Sequence, residues 1–442
     1  MSTTPKPVSD TATTKRPATP VGAPRGDPGT LGGLHMPAHP VGGSLGEYVA
    51  AMASRIRYGE SGVLPVLGGL VILVIIFQVQ NSVFLSAGNL TNLFVQGTTF
   101  VLLGMAEVWV LLLGEIDLSI GYVAGVGAVV TSILAAPPHN FPWWLAIAIG
   151  LLATTAIGAL QGTIIVRLRL PSFVVTLAGL LGWEGVLIYL VNAQNSGGTI
   201  RITNNVLLDL VNGNLSPVAG WIVMVVSIVV FGGFTVLRDR RRRATGLVAP
   251  PLTLTMIKLA VIAAASIALI LICNTNRSAF GTLRGVPYAI VIVLGFVVAW
   301  SFVLSRTRFG RYIYAIGGNA EAARRGGVSL GWNRLWAFTL TGFTAGAAGI
   351  LYASRLGSIS NNIDGGTLVL YAVAAAVIGG TSLFGGRGKM VHALLGGVVI
   401  AAIYNGMGLL GLSAAVQFMV TALVLLAAVT IDAVARRGRA AR

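Results

Sequence analysis

The fold class this sequence predicts is an all-α, polytopic transmembrane bundle of about 10–12 spans, with both termini in the cytoplasm. Three observations carry it. The 442 residues are 55% hydrophobic and only 10% charged, a balance that soluble domains do not reach. The apolar residues fall in long uncharged runs separated by short polar breaks. The cations collect in alternate breaks, as the positive-inside rule requires.

Residues 1–61 are rich in Pro, Thr, Gly and Ser and lack apolar periodicity. They read as a disordered cytoplasmic tail, with Ser44–Arg57 as a candidate amphipathic surface helix. The first apolar run starts too far in, and is too long, for a signal peptide. Twelve apolar segments follow, at 62–80, 94–113, 118–136, 142–165, 172–191, 217–237, 252–273, 286–304, 335–353, 369–384, 391–411 and 413–434. The stretch 62–435 is one transmembrane domain, and 436–442 is a short basic tail. The segment 369–384 is short, and the breaks at 114–117 and Gly411–Leu412 are tight. Broken or re-entrant helices are expected there.

With the N-terminus inside and the segments alternating, only Arg201, Arg277, Arg284 and Arg355 fall outside, and Lys258 lies within a span. Every other Lys and Arg is inside. The net charge of +17 therefore belongs to loops at one membrane face and is not a nucleic-acid surface. The run Arg238–Arg243, with Asp239 inside it, reads as an anchor at the inner interface. The loop 192–216 is the longest outside. Cys273, the only cysteine, lies in an apolar run and excludes an intrachain disulfide or a Cys-rich metal site.

No catalytic or metal-ligating constellation is present. The phosphate-binding pattern Gly-x-x-x-x-Gly-Lys-Ser/Thr is absent; Gly385–Met390 echoes it, but Leu383 and Met390 stand where the first glycine and the hydroxyl belong. The chain does not hydrolyse nucleotide by that route. The acids near or within spans are Glu107, Glu115, Asp117 and Glu184, costly groups that mark either a proton relay or internal pairing. Asp117 or Ser119 can N-cap the segment that runs through Gly121 and Gly125, and that spacing, repeated at Gly342 and Gly346, suits close helix packing. Gln96, Gln161, Asn192, Asn361, Asn362, Asn405 and Gln417 are candidate contacts for a hydroxylated solute.

The polar stretch 305–328 stands between two spans and contains a very short helix. Asn319 can cap it, Glu321 lies in its first turn, Arg324 and Arg325 in its last, and Gly326 or Gly327 can take the left-handed position that stops it. So short a helix does not stand unaided. Local chemistry alone leaves two readings open, an ordinary basic loop and a docking helix for a soluble partner.

Several motifs resemble those of bacterial ABC sugar-importer permeases of the ribose and xylose type. They are Gly114-Glu-Ile-Asp-Leu-Ser-Ile-Gly121, Leu170-Pro-Ser-Phe-Val-Val-Thr-Leu-Ala-Gly179, the stretch Arg308–Val328, Ala376-Val-Ile-Gly-Gly-Thr-Ser-Leu-Phe-Gly-Gly386 and Asn405-Gly-Met-Gly-Leu-Leu-Gly411. They occur in the family's order over about residues 62–435, and the extra region around Arg238–Arg243 resembles the xylose-permease-like subgroup. Glu115 stands where the family has glycine, and Leu370-Tyr371 where an acid is common. The resemblance implies a multi-pass subunit of the bacterial cytoplasmic membrane that imports a monosaccharide, a pentose such as xylose first. It implies a cytoplasmic ATP-binding subunit, an extracytoplasmic sugar-binding protein and a second permease copy as partners, beside membrane lipids. ATP is then used by the partner, and this chain holds no cofactor or metal. Gly318, Asn319, Glu321, Ala322, Ala323 and Gly327 are carried over as the coupling helix; Asp117, Ser119, Gln96 and Asn405 are candidate residues of the path. The alternative is a proton-coupled secondary carrier with Glu107, Glu115, Asp117 or Glu184 as relay.

Overall fold

The computed structural model describes residues 64–440 apart from 195, 196, 247, 248, 279 and 280. The N-terminal tail and its candidate surface helix lie outside the described residues. Each of the twelve apolar segments falls on a helix. They are α1 (Leu64–Gln80), α2 (Ala87–Leu111), α3 (Ile120–Ala135), α4 (Trp143–Leu168) and α5 (Ser172–Asn192), then, after a short excursion, α7 (Pro217–Ala244), α8 (Leu252–Asn274) and α9 (Tyr288–Arg306). The last four are α12 (Leu330–Leu356), α13 (Gly365–Ile378), α14 (Met390–Leu409) and α15 (Ala414–Ala440). Helix α15 continues into the expected basic tail. Eight of these are long and apolar enough to cross a membrane; α1, α3, α13 and the described part of α15 are shorter apolar helices.

The breaks carry structure that apolar periodicity did not reveal. The loop 192–216 holds strand β1 (Thr199–Arg201) and the amphipathic helix α6 (Asn205–Asn212). Asn204 caps α6 by accepting from the backbone N–H of Val206 and Leu207. Strand β1 pairs antiparallel with β2 (Ser358–Ser360), Ile200 opposite Ile359. The stretch 305–328 holds two helices, α10 (Arg308–Gly318) and α11 (Ala320–Arg325).

Helix α2 is the axis of the bundle, with 89% of its apolar window buried. Helices α12 and α14 flank it. Threonine and glycine let them approach: Thr341 donates to the Ala106 carbonyl at 3.0 Å, and a Cβ at Gly397 would lie 2.8 Å from the Val101 Cα. The glycine pairs expected to pack closely do so. A Cβ at Gly342 would lie 2.3 Å from the Thr154 carbonyl, and one at Gly125 2.4 Å from the Leu187 side chain. At the other extreme, only 11% of the apolar window of α8 is buried, so the α7–α8 hairpin is peripheral. Asp239 closes that hairpin: buried, it accepts from Thr255 at 2.9 Å and pairs with Arg238 at 3.1 Å.

The breaks segregate as the charge pattern requires. Residues 112–119, 307–329 and 379–389 meet at one end, where Gly386 N–H donates to Leu112 O at 2.9 Å and Tyr314 Oη donates to Gly388 O at 2.7 Å. The β1–β2 ribbon, α6 and the Asn81–Leu409 contact lie at the other. Helices α3 and α13 have 16 and 14 residues, about 24 and 21 Å against a hydrocarbon core of about 30 Å. Their first turns touch, since a Cβ at Gly121 would lie 2.0 Å from the Gly365 carbonyl. The chain enters α3 from the end that carries α11, and α13 from the ribbon end. The two N-termini therefore meet at intermediate depth, which accounts for the tight break at 114–117 and the short segment at 369–384.

Candidate functional site

Helix α11 stands exposed at its end of the bundle, and its own sequence terminates it on both sides. The Asn319 side chain accepts from Ala322 N–H at 2.9 Å. At the other end Gly327 N–H donates to Arg324 O and Val328 N–H to Ala323 O. Gly327 holds φ +81°, so it, not Gly326, takes the left-handed position of this Schellman motif. Ala323 is buried beneath the helix, whereas Glu321, Ala322, Arg324 and Arg325 face outward.

Glu321 does more than complement the helix dipole. It takes Arg324 on both carboxylate oxygens, at 2.9 and 3.0 Å, and Arg325 at 3.0 Å. Arg324, then Arg325, holds the Glu321 carboxyl below the usual carboxylate range. The outward face of α11 is thus a pre-ordered plate of one carboxylate and two guanidinium groups.

Helix α10 seats this plate. Gly310, Ile313 and Ile316 are its buried face, and Thr307 caps it by accepting from Gly310 N–H. The sequence reading missed α10, because two arginines and three glycines dilute the apolar stripe. At its end a Cβ on Gly317 would lie 1.8 Å from Leu112 O and 2.5 Å from Gly386 N. The backbones of three segments therefore touch. Gly318, by contrast, has open space around it. The glycines that make this junction are Gly317, Gly385 and Gly386, the last two with φ +84° and +71°. Gly-Gly pairs in both segments were the available signal.

The junction continues inward through the loop 112–119. Glu115 pairs with Arg334 of α12 at 2.6 Å. Asp117 accepts from Ser119 N–H at 2.9 Å and Ser119 Oγ at 2.6 Å. Gln161 of α4 donates to Ser119 Oγ at 2.9 Å, and Asp117 N–H reaches Glu107 at 3.3 Å. Ser119 takes the N-cap position of α3 without a side-chain cap hydrogen bond, and the Asp117 carboxylate holds Ser119 in place. These acids are engaged internally, save one buried oxygen each of Glu107 and Glu115 that has no hydrogen-bond partner.

The candidate path residues do not converge. Asp117 and Ser119 belong to the loop that enters α3. Asn405 lies toward the ribbon end, in a reciprocal amide pair with Asn89 at 2.8 and 3.0 Å. Gln96 is buried in α2 with its Oε1 unpaired.

Comparison with known proteins accords with this architecture. The xylose transport system permease protein of Escherichia coli strain K12 is 34% identical over 354 residues, 80% of this chain and 87% of that protein. Its counterpart in Haemophilus influenzae is 31% identical over 370 residues, 82% and 93% of the two chains. The ribose import permease protein of E. coli K12 is 30% identical over 367 residues, 82% and 91%. No solved structure matches. The family described as "Branched-chain amino acid transport system / permease component" matches residues 89–429, and the chain belongs to it: it is a multi-pass membrane permease component, not an enzyme.

Proposed function

We propose that this chain is the membrane-spanning permease subunit of an ATP-binding-cassette importer for a monosaccharide, a pentose such as xylose first. Two copies would pair in the cytoplasmic membrane, with α11 and both termini on the cytoplasmic side and the β1–β2 ribbon outside. An ATP-binding subunit would grip α11 from the cytoplasm, and an extracytoplasmic sugar-binding protein would deliver solute to the ribbon face. The relatives that carry xylose and ribose in their names support a sugar over an amino acid, although the family's description names the latter.

The observation that carries the reading is the seating of α11. A six-residue helix, exposed and double-capped, presents its charged plate outward and is fixed by α10 onto the backbones of Leu112 and Gly386. Force applied to that plate passes through a glycine junction too tight to absorb it. It reaches α2 through the loop that follows it, and α12 through Glu115–Arg334. Rigid-body rocking of the bundle follows from such a contact.

The test is to assemble the chain with its ATP-binding and sugar-binding subunits in proteoliposomes. Glu321→Arg, or deletion of Ala320–Arg325, should abolish ATPase docking and uptake while membrane insertion stays normal. ATPase binding that survives both changes overturns the reading. Uptake driven by a pH gradient without the ATPase would establish the proton-coupled carrier in its place.

A further inference from the structure

Glu184 is an intramembrane acid that the coupling surface leaves unused. It stands on α5 twelve residues after Ser172 and eight before Asn192, roughly 18 and 12 Å along the axis. It is half-buried. Among the described residues no helix covers the flank beside it, for a Cβ at Gly185 would meet nothing within 4 Å. Leu181 and Ile188, one turn before and after it on that flank, are exposed. Its carboxylate interacts with the Tyr122 hydroxyl, which also feels the charge of Asp364. Tyr122 is buried at 8% exposure with its ring against Gly365. The pair therefore sits at intermediate depth, where the first turns of α3 and α13 meet.

A carboxylate facing acyl chains at that depth is strongly disfavoured. A carboxylate has about four acceptor positions, and one phenol fills one of them. Lipid offers no donors. The open face must meet water or a solute rich in O–H groups, and neighbouring sugar hydroxyls suit a two-oxygen acceptor. We propose that Glu184, oriented by Tyr122, accepts hydrogen bonds from sugar hydroxyls on the translocation path, along the open flank of α5 beside the first turns of α3 and α13. This rests on the importer reading above. Glu184 touches the solute; Tyr122 is a positioning residue.

The experiment uses the full importer in proteoliposomes, offered xylose, ribose and allose in turn. Glu184→Ala should lower sugar uptake about tenfold or more, the loss typical of a charged hydrogen bond. ATPase docking and sugar-independent ATP hydrolysis should stay at the unmodified level. Glu184→Gln, which keeps one acceptor, should retain more uptake than Glu184→Ala. Tyr122→Phe should raise the half-saturating sugar concentration without changing sugar-independent hydrolysis. Unchanged uptake in Glu184→Ala overturns the proposal. An unmodified assembly that fails to import any of the three sugars with ATP overturns the importer reading instead. A second readout does not depend on turnover. In a Cys273→Ser background, Gly185→Cys should react with a charged, water-soluble thiol reagent, and the transported sugar should slow that reaction. Val225→Cys on the lipid-facing α7 should not react. Absence of labelling at Gly185→Cys overturns the proposal, and so does a disulfide between two copies at that position, which would make a second copy the occupant of the face.

Discussion

Arg334 Nε stands 2.6 Å from Glu115 Oε1, an ion pair that joins the loop after α2 to the first turns of α12. Glu115 is 9% exposed, and the Arg334 side chain is 38% exposed. Glu115→Ala leaves the half-buried Arg334 guanidinium unpaired. Removing one partner of a fully buried pair costs about 3–5 kcal/mol; the exposure of Arg334 lowers this to about 1–3 kcal/mol. Thermal unfolding in detergent should show the loss. The double variant Glu115→Ala/Arg334→Ala should be less destabilised than the two single changes summed.

The two glycines that end α11 have different duties, and substitution should separate them. Gly327 holds φ +81° with open space around its Cα, so Gly327→Ala meets backbone strain alone, about 1–2 kcal/mol. Gly326 has φ −76°, and a Cβ there makes ordinary contacts with Ala322 and Ala323 carbonyls. Gly326→Ala should leave ATPase affinity unchanged, whereas Gly327→Ala should weaken it. Titration of the ATP-binding subunit against each variant decides.

Adjacent Gly317 and Gly318 make a sharper contrast. Gly317→Ala drives a methyl into Leu112 O, while Gly318→Ala points it into open space. Overpacking at a backbone contact costs about 1–3 kcal/mol and shifts the elements apart. Gly317→Ala should therefore uncouple ATP hydrolysis from uptake as well as lower the unfolding temperature. Gly318→Ala should do neither.

The pairing within α11 sets a pH window. Arg324 and Arg325 depress the Glu321 carboxyl, so the folded helix binds that proton less readily than the unfolded segment. The stabilisation is complete above the ordinary glutamate value of about 4.3. It is lost as pH falls through the lower, folded value. Hydrogen exchange at the Ala322–Arg325 amides should be constant from pH 7 to about 5 and accelerate, beyond the intrinsic trend, only in stronger acid. Glu321→Gln should abolish that dependence.

The fold was legible because burial in lipid leaves a one-dimensional trace. Every apolar run became a helix, and the charges sorted the loops into the two groups that meet at opposite ends. Asn319, Glu321 and Gly327 were legible because capping chemistry is local. Three features were not. Helix α10 hides its buried Ile313 and Ile316 among Arg308, Arg311 and several glycines, and its stability comes from contacts with Leu112 and Gly386. Glu115 and Arg334 are 219 positions apart in the chain, so their pairing is tertiary. The meeting of α3 with α13 depends on a Gly121–Gly365 contact that no periodicity encodes. The Asn405 partner was likewise illegible: its amide pairs with Asn89, 316 positions away in the chain.

The arrangement of α2 also bears on how the chain is made. This helix emerges early from the ribosome, yet its closest neighbours, α12 and α14, are synthesised more than two hundred residues later; Thr341 and Asn405 close onto Ala106 and Asn89. Until then Asn89 lacks the amide it pairs with, and the buried Gln96 and Glu107 lack the helices that cover them. Co-translational insertion of this permease must therefore shelter α2, within the insertase or behind α1, until the C-terminal third arrives. Nascent chains truncated before Leu330 should remain bound to the insertion machinery.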